Sequence, residues 1–193
     1  MDNFSIKDDL HYVGWVDVYK QYPDGSEYLV YSDHNIVTSG MGVTLASLFA
    51  SEIQSVEDFK IDRFQIGVSG TSTDDEVVTR SALISPLAAG DYGVNTTLSL
   101  YSNNIWERGT LTAQVFAAIP SQNIVKAASD KVTFVIVLDE NTGNGQNVNE
   151  VGLLSRNPMD LSPEGSVLCA YKYIPTIVKG SAFSLVIKWT IQF

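Results

Sequence analysis

The stretch from Asp139 to Glu150, "DENTGNGQNVNE", carries oxygen ligands in an order that resembles a calcium-binding loop. A helix–loop–helix calcium site takes side-chain oxygens from its first, third and fifth positions. It also needs glycine at the sixth and a bidentate glutamate at the twelfth. Asp139, Asn141 and Glu150 meet three of these requirements, but Gly143 offers no ligand at the fifth position and Asn144 replaces the glycine. The flanks decide between readings. "KVTFVIVL" before the loop and "VGLLS" after it are apolar and β-branched, which makes strands of them rather than helices. The stretch therefore reads as a hairpin connection, with Gly143 and Gly145 free to take positive φ. A nonstandard calcium site is the alternative.

Other chemistry-bearing residues are sparse. His11 and His34 sit at the two ends of a proposed hairpin, where pairing could bring them together as metal ligands beside Asp33, or leave them as polar strand positions. Cys169 is the single cysteine and lies in the apolar run "SVLCAYKYI", so it reads as a small buried hydrophobe. One thiol can neither close an internal disulfide nor build a cysteine-based zinc or iron–sulfur site. No G-x-S-x-G elbow occurs. "GVSGTS" (67–72) lacks the lysine and the following helix of a phosphate-cradling loop and reads as a turn leaving a strand. The reading is of a protein that is not an enzyme, with no catalytic, cofactor-binding or metal-binding residues and no cofactor.

Composition limits the partners. With 45% apolar and 18% charged residues, the 193-residue chain has enough material for one ordinary core and is not disordered. The formal charge of −10, with lysines and arginines scattered singly, argues against direct nucleic-acid binding. No apolar run approaches the roughly 20 residues of a membrane-spanning helix. "MDNFSIKDDL" has no signal-peptide pattern, so synthesis and folding in a cytoplasm are expected.

Around these residues the pattern is mostly β. "LHYVGWVDVY" and "LVYSDHN" flank Pro23-Asp24-Gly25, a turn-forming trio, so residues 10–35 read as a hairpin. Met41, Leu45, Leu48 and Phe49 fall on one helical face, giving one short α-helix near residues 39–51, with Thr38 or Ser39 as its cap. Strand-like runs follow at 61–69, 95–102, 109–119, 131–139, 149–155, 166–174 and 181–193. In the last, Phe183, Leu185, Ile187, Trp189, Ile191 and Phe193 alternate with Ser184, Lys188, Thr190 and Gln192, Val186 being the exception, the mark of a strand with one buried face. The expected fold is mainly β: one domain over residues 1–193, an antiparallel sandwich or jelly-roll-like barrel. The 1–35 hairpin is a candidate projecting arm.

The order of several blocks is also informative. "HNIVTSGMGVTLASLFA" (34–50), "IDRFQIGVSGTST" (61–73), "LISPL" (83–87), "VNEVGLLSRN" (148–157), "LCAYKYIPTIVKG" (168–180) and "SLVIKWTIQF" (184–193) follow one another. This series resembles bacteriophage virion structural proteins, namely the attachment regions of tail-collar and tail-fibre proteins and small neck, baseplate or capsid-decorating proteins. Residues 1–33 lie outside the resemblance. It implies assembly in the host cytoplasm, residence in the virion, and contacts with copies of itself and with other virion proteins. The hairpin aromatics Tyr12, Trp15, Tyr19, Tyr22, Tyr28 and Tyr31 are then candidate assembly contacts, or half of them pack on the core. Glu150 and Lys179 either fix strand register, make an assembly contact, or are solvated strand-end charges. A carbohydrate- or ligand-binding β-sandwich, calcium-assisted through its acidic loops, is the competing reading.

Overall fold

The computed structural model describes residues 13–49, 60–107, 110–156 and 165–193. Among the described residues ten strands form one curled sheet: β1 (Val13–Gln21), β2 (Glu27–Val37), β3 (Ile61–Gly67), β4 (Leu100–Glu107), β5 (Thr110–Ala118), β6 (Ile124–Ala128), β7 (Lys131–Leu138), β8 (Asn147–Arg156), β9 (Gly165–Val178) and β10 (Ser184–Gln192). Their order across the sheet is β4-β5-β3-β8-β9-β2-β1-β10-β7-β6. Neighbours run antiparallel, and a short parallel pairing of Asn104 with Gly165 and Ile105 with Ser166 joins β4 back to β9. Strands β4, β5, β3, β8 and β9 thus close into a small barrel, which removes sheet edges there. The other five strands continue from β2 as an open, curved wing. The mainly β, barrel-like expectation matches this architecture.

β9 connects the two parts. β8 occupies one of its edges along most of its length. The other edge is shared: β4 meets its start, and β2 meets its middle through Ile36–Tyr171 and Val37–Ala170. Beyond that point β9 runs on through an exposed Pro175. A proline has no N–H to give a ladder, so it suits a stretch of edge without a neighbouring strand.

The terminal strand behaves as its alternation requires. β10 lies between β1 and β7, with nine and eight residue pairs respectively. Leu185, Ile187, Trp189 and Ile191 are buried with Val16, Val18, Phe134 and Ile136 in the main core. Phe193 departs from the pattern. Its ring is 48% exposed, and its backbone N–H holds the chain end to the Asp130 carbonyl.

The hairpin does not project as an arm. β1 is hydrogen-bonded to β2 on one side and to β10 on the other, so it is an interior strand. Gly14, Val16 and Val18 are buried, which explains why the segment cannot stand away from the sheet. The turn forms at Tyr22–Ser26, where Asp24 Oδ1 accepts from the Ser26 N–H and hydroxyl and Gly25 takes φ 84°.

The helix α1 spans Ser39–Phe49 and packs on β9. Met41 and Thr44 are buried, Leu45 and Leu48 partly so, whereas Phe49 is 82% exposed rather than on the inner face. Thr38 does not cap the helix with its hydroxyl. That group instead donates to the Leu168 carbonyl, tying the helix entry to β9. The run at 95–102 also shifts, since β4 starts at Leu100. Thr96 and Thr97 leave the ladder because their hydroxyls engage the Leu98 N–H, Thr142 and Asp139.

Removing the last six residues, Lys188–Phe193, deletes Trp189 and Ile191 from between β1 and β7. At roughly 1.5–3 kcal/mol per large apolar side chain, plus the lost ladder bonds, the truncated chain is expected to be insoluble. Soluble truncated protein with the wild-type circular dichroism spectrum would overturn this.

Candidate assembly surface and the loops that present it

Glu150 opens the "EVGLL" segment of β8 and is fully buried. A carboxylate there needs donors, because an unpaired buried charge is very costly. Three are supplied. The Ser85 N–H donates to Oε1 at 2.8 Å, the Ile84 N–H to Oε2 at 2.9 Å, and the Tyr171 hydroxyl to Oε2 at 3.2 Å. Space comes from two glycines. A Cβ on Gly67, the cross-strand partner of Glu150, would sit 2.3 Å from Oε1, and one on Gly70 would sit 2.8 Å from Glu150 Cβ. Burial, and after it the Glu150 charge, push the Tyr171 hydroxyl above its ordinary range, which keeps it a donor.

The same cluster secures the loop between β3 and β4. Arg80 lies over the Tyr171 ring, 4.7 Å from its centroid, and its Nη2 donates to Asp74 Oδ1 at 2.6 Å. Asp74 Oδ2 accepts from the Thr71 N–H and hydroxyl at the start of the 3-10 turn Ser72–Glu76. Burial opposes ionisation of Asp74, but its bonds to Thr71 and Arg80 outweigh that and hold its carboxyl below the ordinary value. Outside this fastening the loop presents Val77, Val78 and Ile84 to solvent. Glu150 therefore fixes register and loop position. Its burial removes it from the candidate assembly contacts.

Lys179 is buried as well and is no surface contact. It follows β9, and its Nζ donates to the Gly180 carbonyl at 2.8 Å and to Asn144 Oδ1 at 3.2 Å. Burial pushes its ammonium below the ordinary value, while the charges of Asp139 and Glu140 pull it back. Its partner loop is the calcium-like stretch, which is indeed the connection between β7 and β8, with φ 69° at Gly143 and 87° at Gly145. Asp139 spends its oxygens on the Asn141 N–H and on the Thr142 and Thr97 hydroxyls. Asp139 and Glu150 thus face different partners instead of one centre. Among the described residues, no three of His, Cys, Asp and Glu converge as metal ligands would.

The hairpin residues divide by face. Tyr22 and Tyr31 pack against the core. Tyr31 donates to Asp33, whose Oδ2 also takes the buried Lys172 ammonium at 3.1 Å. Trp15 and Tyr19 lie on the opposite face of β1 from buried Val16 and Val18, each half-buried. His34 is the cross-strand partner of Trp15, and their rings meet at 4.9 Å. His11 and Tyr12 lie outside the described residues. Cys169 is buried beside Ser155 and Thr44, and burial pushes its thiol up. That leaves Tyr28, 60% exposed, as the outermost hairpin aromatic, next to Leu29 and Val30 at 55% and 41%. The bulge between Val18 and Tyr19 skips Val30 in the pairing with β1. The sequence reading missed Leu29 and Val30. The apolar "YLVY" run beside the turn was the signal that could have found them.

No protein-family model, no curated protein and no solved structure matches the chain.

Glu150→Ala strands two backbone N–H groups and a buried hydroxyl. It is expected to lower the unfolding free energy by about 3 kcal/mol or more, read by urea denaturation. The sign for Asp74 follows from its lowered pKa. Its contribution is present above the ordinary 3.8 and is lost as pH falls through the lower folded value. Asp74→Asn should therefore flatten the acid limb of the stability–pH curve, and an unchanged limb would contradict this.

Proposed function

We propose that this protein is a bacteriophage virion structural protein that acts by assembly contacts with copies of itself and with other virion proteins, in the tail, neck, baseplate or capsid decoration. The observation that carries the reading is the apolar end of the first hairpin. Tyr28, Leu29 and Val30 are exposed together on β2, and among the described residues no strand pairs with the outer edge of β2 from Glu27 to Asn35. Apolar anchors beside an open strand edge are the equipment of protein–protein docking, by packing and by strand addition. The block order that resembles phage structural proteins supports the same reading. Its blocks "IGVSGT", "LISPL", "VNEVGLL" and "LCAYKY" meet at one buried carboxylate.

A ligand-binding sandwich has one observation in its favour. Trp15, Asp17 and Tyr19 face outward on β1, as a flat sugar-binding platform would require. Lys188 Nζ covers the Tyr19 ring at 4.3 Å, and His34 leans on Trp15, so neither ring presents a bare face. A glycan array separates the two readings.

The assembly reading is tested by sedimentation of the purified protein, alone and with phage heads or tails. Self-association or co-sedimentation is expected. Tyr28→Ser, Leu29→Ser and Val30→Ser combined should weaken it at least about tenfold without lowering the melting temperature. A protein that stays monomeric and binds no particle component would overturn the proposal.

A further inference from the structure

Among the described residues the five-strand wing ends in two open edges, the Glu27–Asn35 stretch of β2 on one side and β6 on the other. Their charges differ in sign. β2 carries the carboxylates of Glu27 and Asp33 and no lysine or arginine, whereas β6 carries Lys126 and no acid. Each edge also exposes apolar side chains, Tyr28, Leu29 and Val30 on β2 and Val125 on β6. These side chains sort by face. Glu27 bonds Lys188, whose ammonium covers the Tyr19 ring on the outer face, and Leu29 is the cross-strand partner of Tyr19. Tyr28 meets Tyr22 on the core side. On β6, Ile124 and Lys126 are the partners of Phe134 and Val132, which pack in the core, so both stand on the core side. Val125, between them, faces outward.

We propose that β6 of a second copy adds antiparallel to the open edge of β2, with Lys126 of one copy opposite Glu27 of the other. The proposal rests on the assembly reading and names the partner. Directions alternate from β2 through β1, β10 and β7 to β6, so the two edge strands run the same way within one copy. A second copy therefore presents β6 antiparallel to β2 only when it is turned over, which brings its core side level with the first copy's outer face. Glu27 and Leu29 stand on that face, so Lys126 meets Glu27 and Ile124 meets Leu29. On the reverse side Val125 meets Tyr28. One register thus matches a pair of opposite charges and two apolar pairs. A copy that is not turned over would run β6 parallel to β2 and put Lys126 on the side away from Glu27. Two β2 edges set against each other would offer carboxylates alone. The contact joins unlike edges and turns each copy over, so it leaves one edge free at either end and builds an open chain of copies.

The test places cysteines at two exposed positions, Tyr28→Cys and Val125→Cys, each in the full chain, where the native Cys169 is buried. After oxidation under native conditions, a mixture of the two variants is expected to give a disulfide-linked dimer on a non-reducing gel, and neither variant alone. A chain carrying both substitutions should give a ladder of higher multimers, and a product that stops at the dimer would contradict the open chain. No cross-link in the mixture, or as much dimer from either variant alone, would overturn the proposal. Lys126→Glu should weaken self-association about fivefold in sedimentation velocity, and an unchanged association constant would rule out the register. Co-sedimentation with phage heads or tails without the mixed cross-link removes this pairing and leaves the assembly reading standing. A protein that shows neither removes both.

Discussion

A single buried carboxylate imposes its needs on three separate pieces of chain. Glu150 is shielded from water, so its carboxylate oxygens depend on the bonds donated by Ile84, Ser85 and Tyr171. Those donors come from a loop and from the neighbouring strand, and the carboxylate fits only because residues 67 and 70 have no side chain. Once it is in place, the Tyr171 ring supports Arg80, and Arg80 holds Asp74. The first half of the loop between β3 and β4 is thereby moored to the barrel.

Local pattern was readable wherever one strand face meets the core. The terminal strand, the Pro23-Asp24-Gly25 turn, the loop at 139–146 and the mainly β class follow from period-two alternation and turn chemistry. What could not be read depends on contacts between distant residues. Glu150 and Lys179 look like ordinary strand-end charges, since nothing nearby in sequence reveals which N–H groups and ring will surround them. The start of β4 was misplaced because Thr96 and Thr97 spend their hydroxyls on a loop some 40 residues away. β6 has only two large apolar residues, Ile124 and Val125, adjacent rather than alternating, and a run that short carries little signal. The barrel closure rests on two residue pairs between β4 and β9, which no local rule anticipates.

The first hairpin shows how one strand pair can serve two purposes. Its inner side is core: Val16 and Val18 are buried, and Tyr31 joins Asp33 and Lys172 in a polar link to β9. Its far end outruns the core beneath it, and among the described residues Tyr28, Leu29 and Val30 there stay largely exposed. Glu27 and Lys188 pair at 3.3 Å across this end, a weak surface contact that keeps opposite charges near the apolar residues without hiding them.

Pro175 gives the gap between β2 and β9 a polarity. Both strands border it, but where Pro175 stands β9 has no N–H to offer, whereas β2 keeps a full run of peptide groups. The peptide groups along β2 are thus unbroken and those along β9 interrupted, while the Tyr31–Asp33–Lys172 link spans the near end of the gap with side chains instead of a ladder.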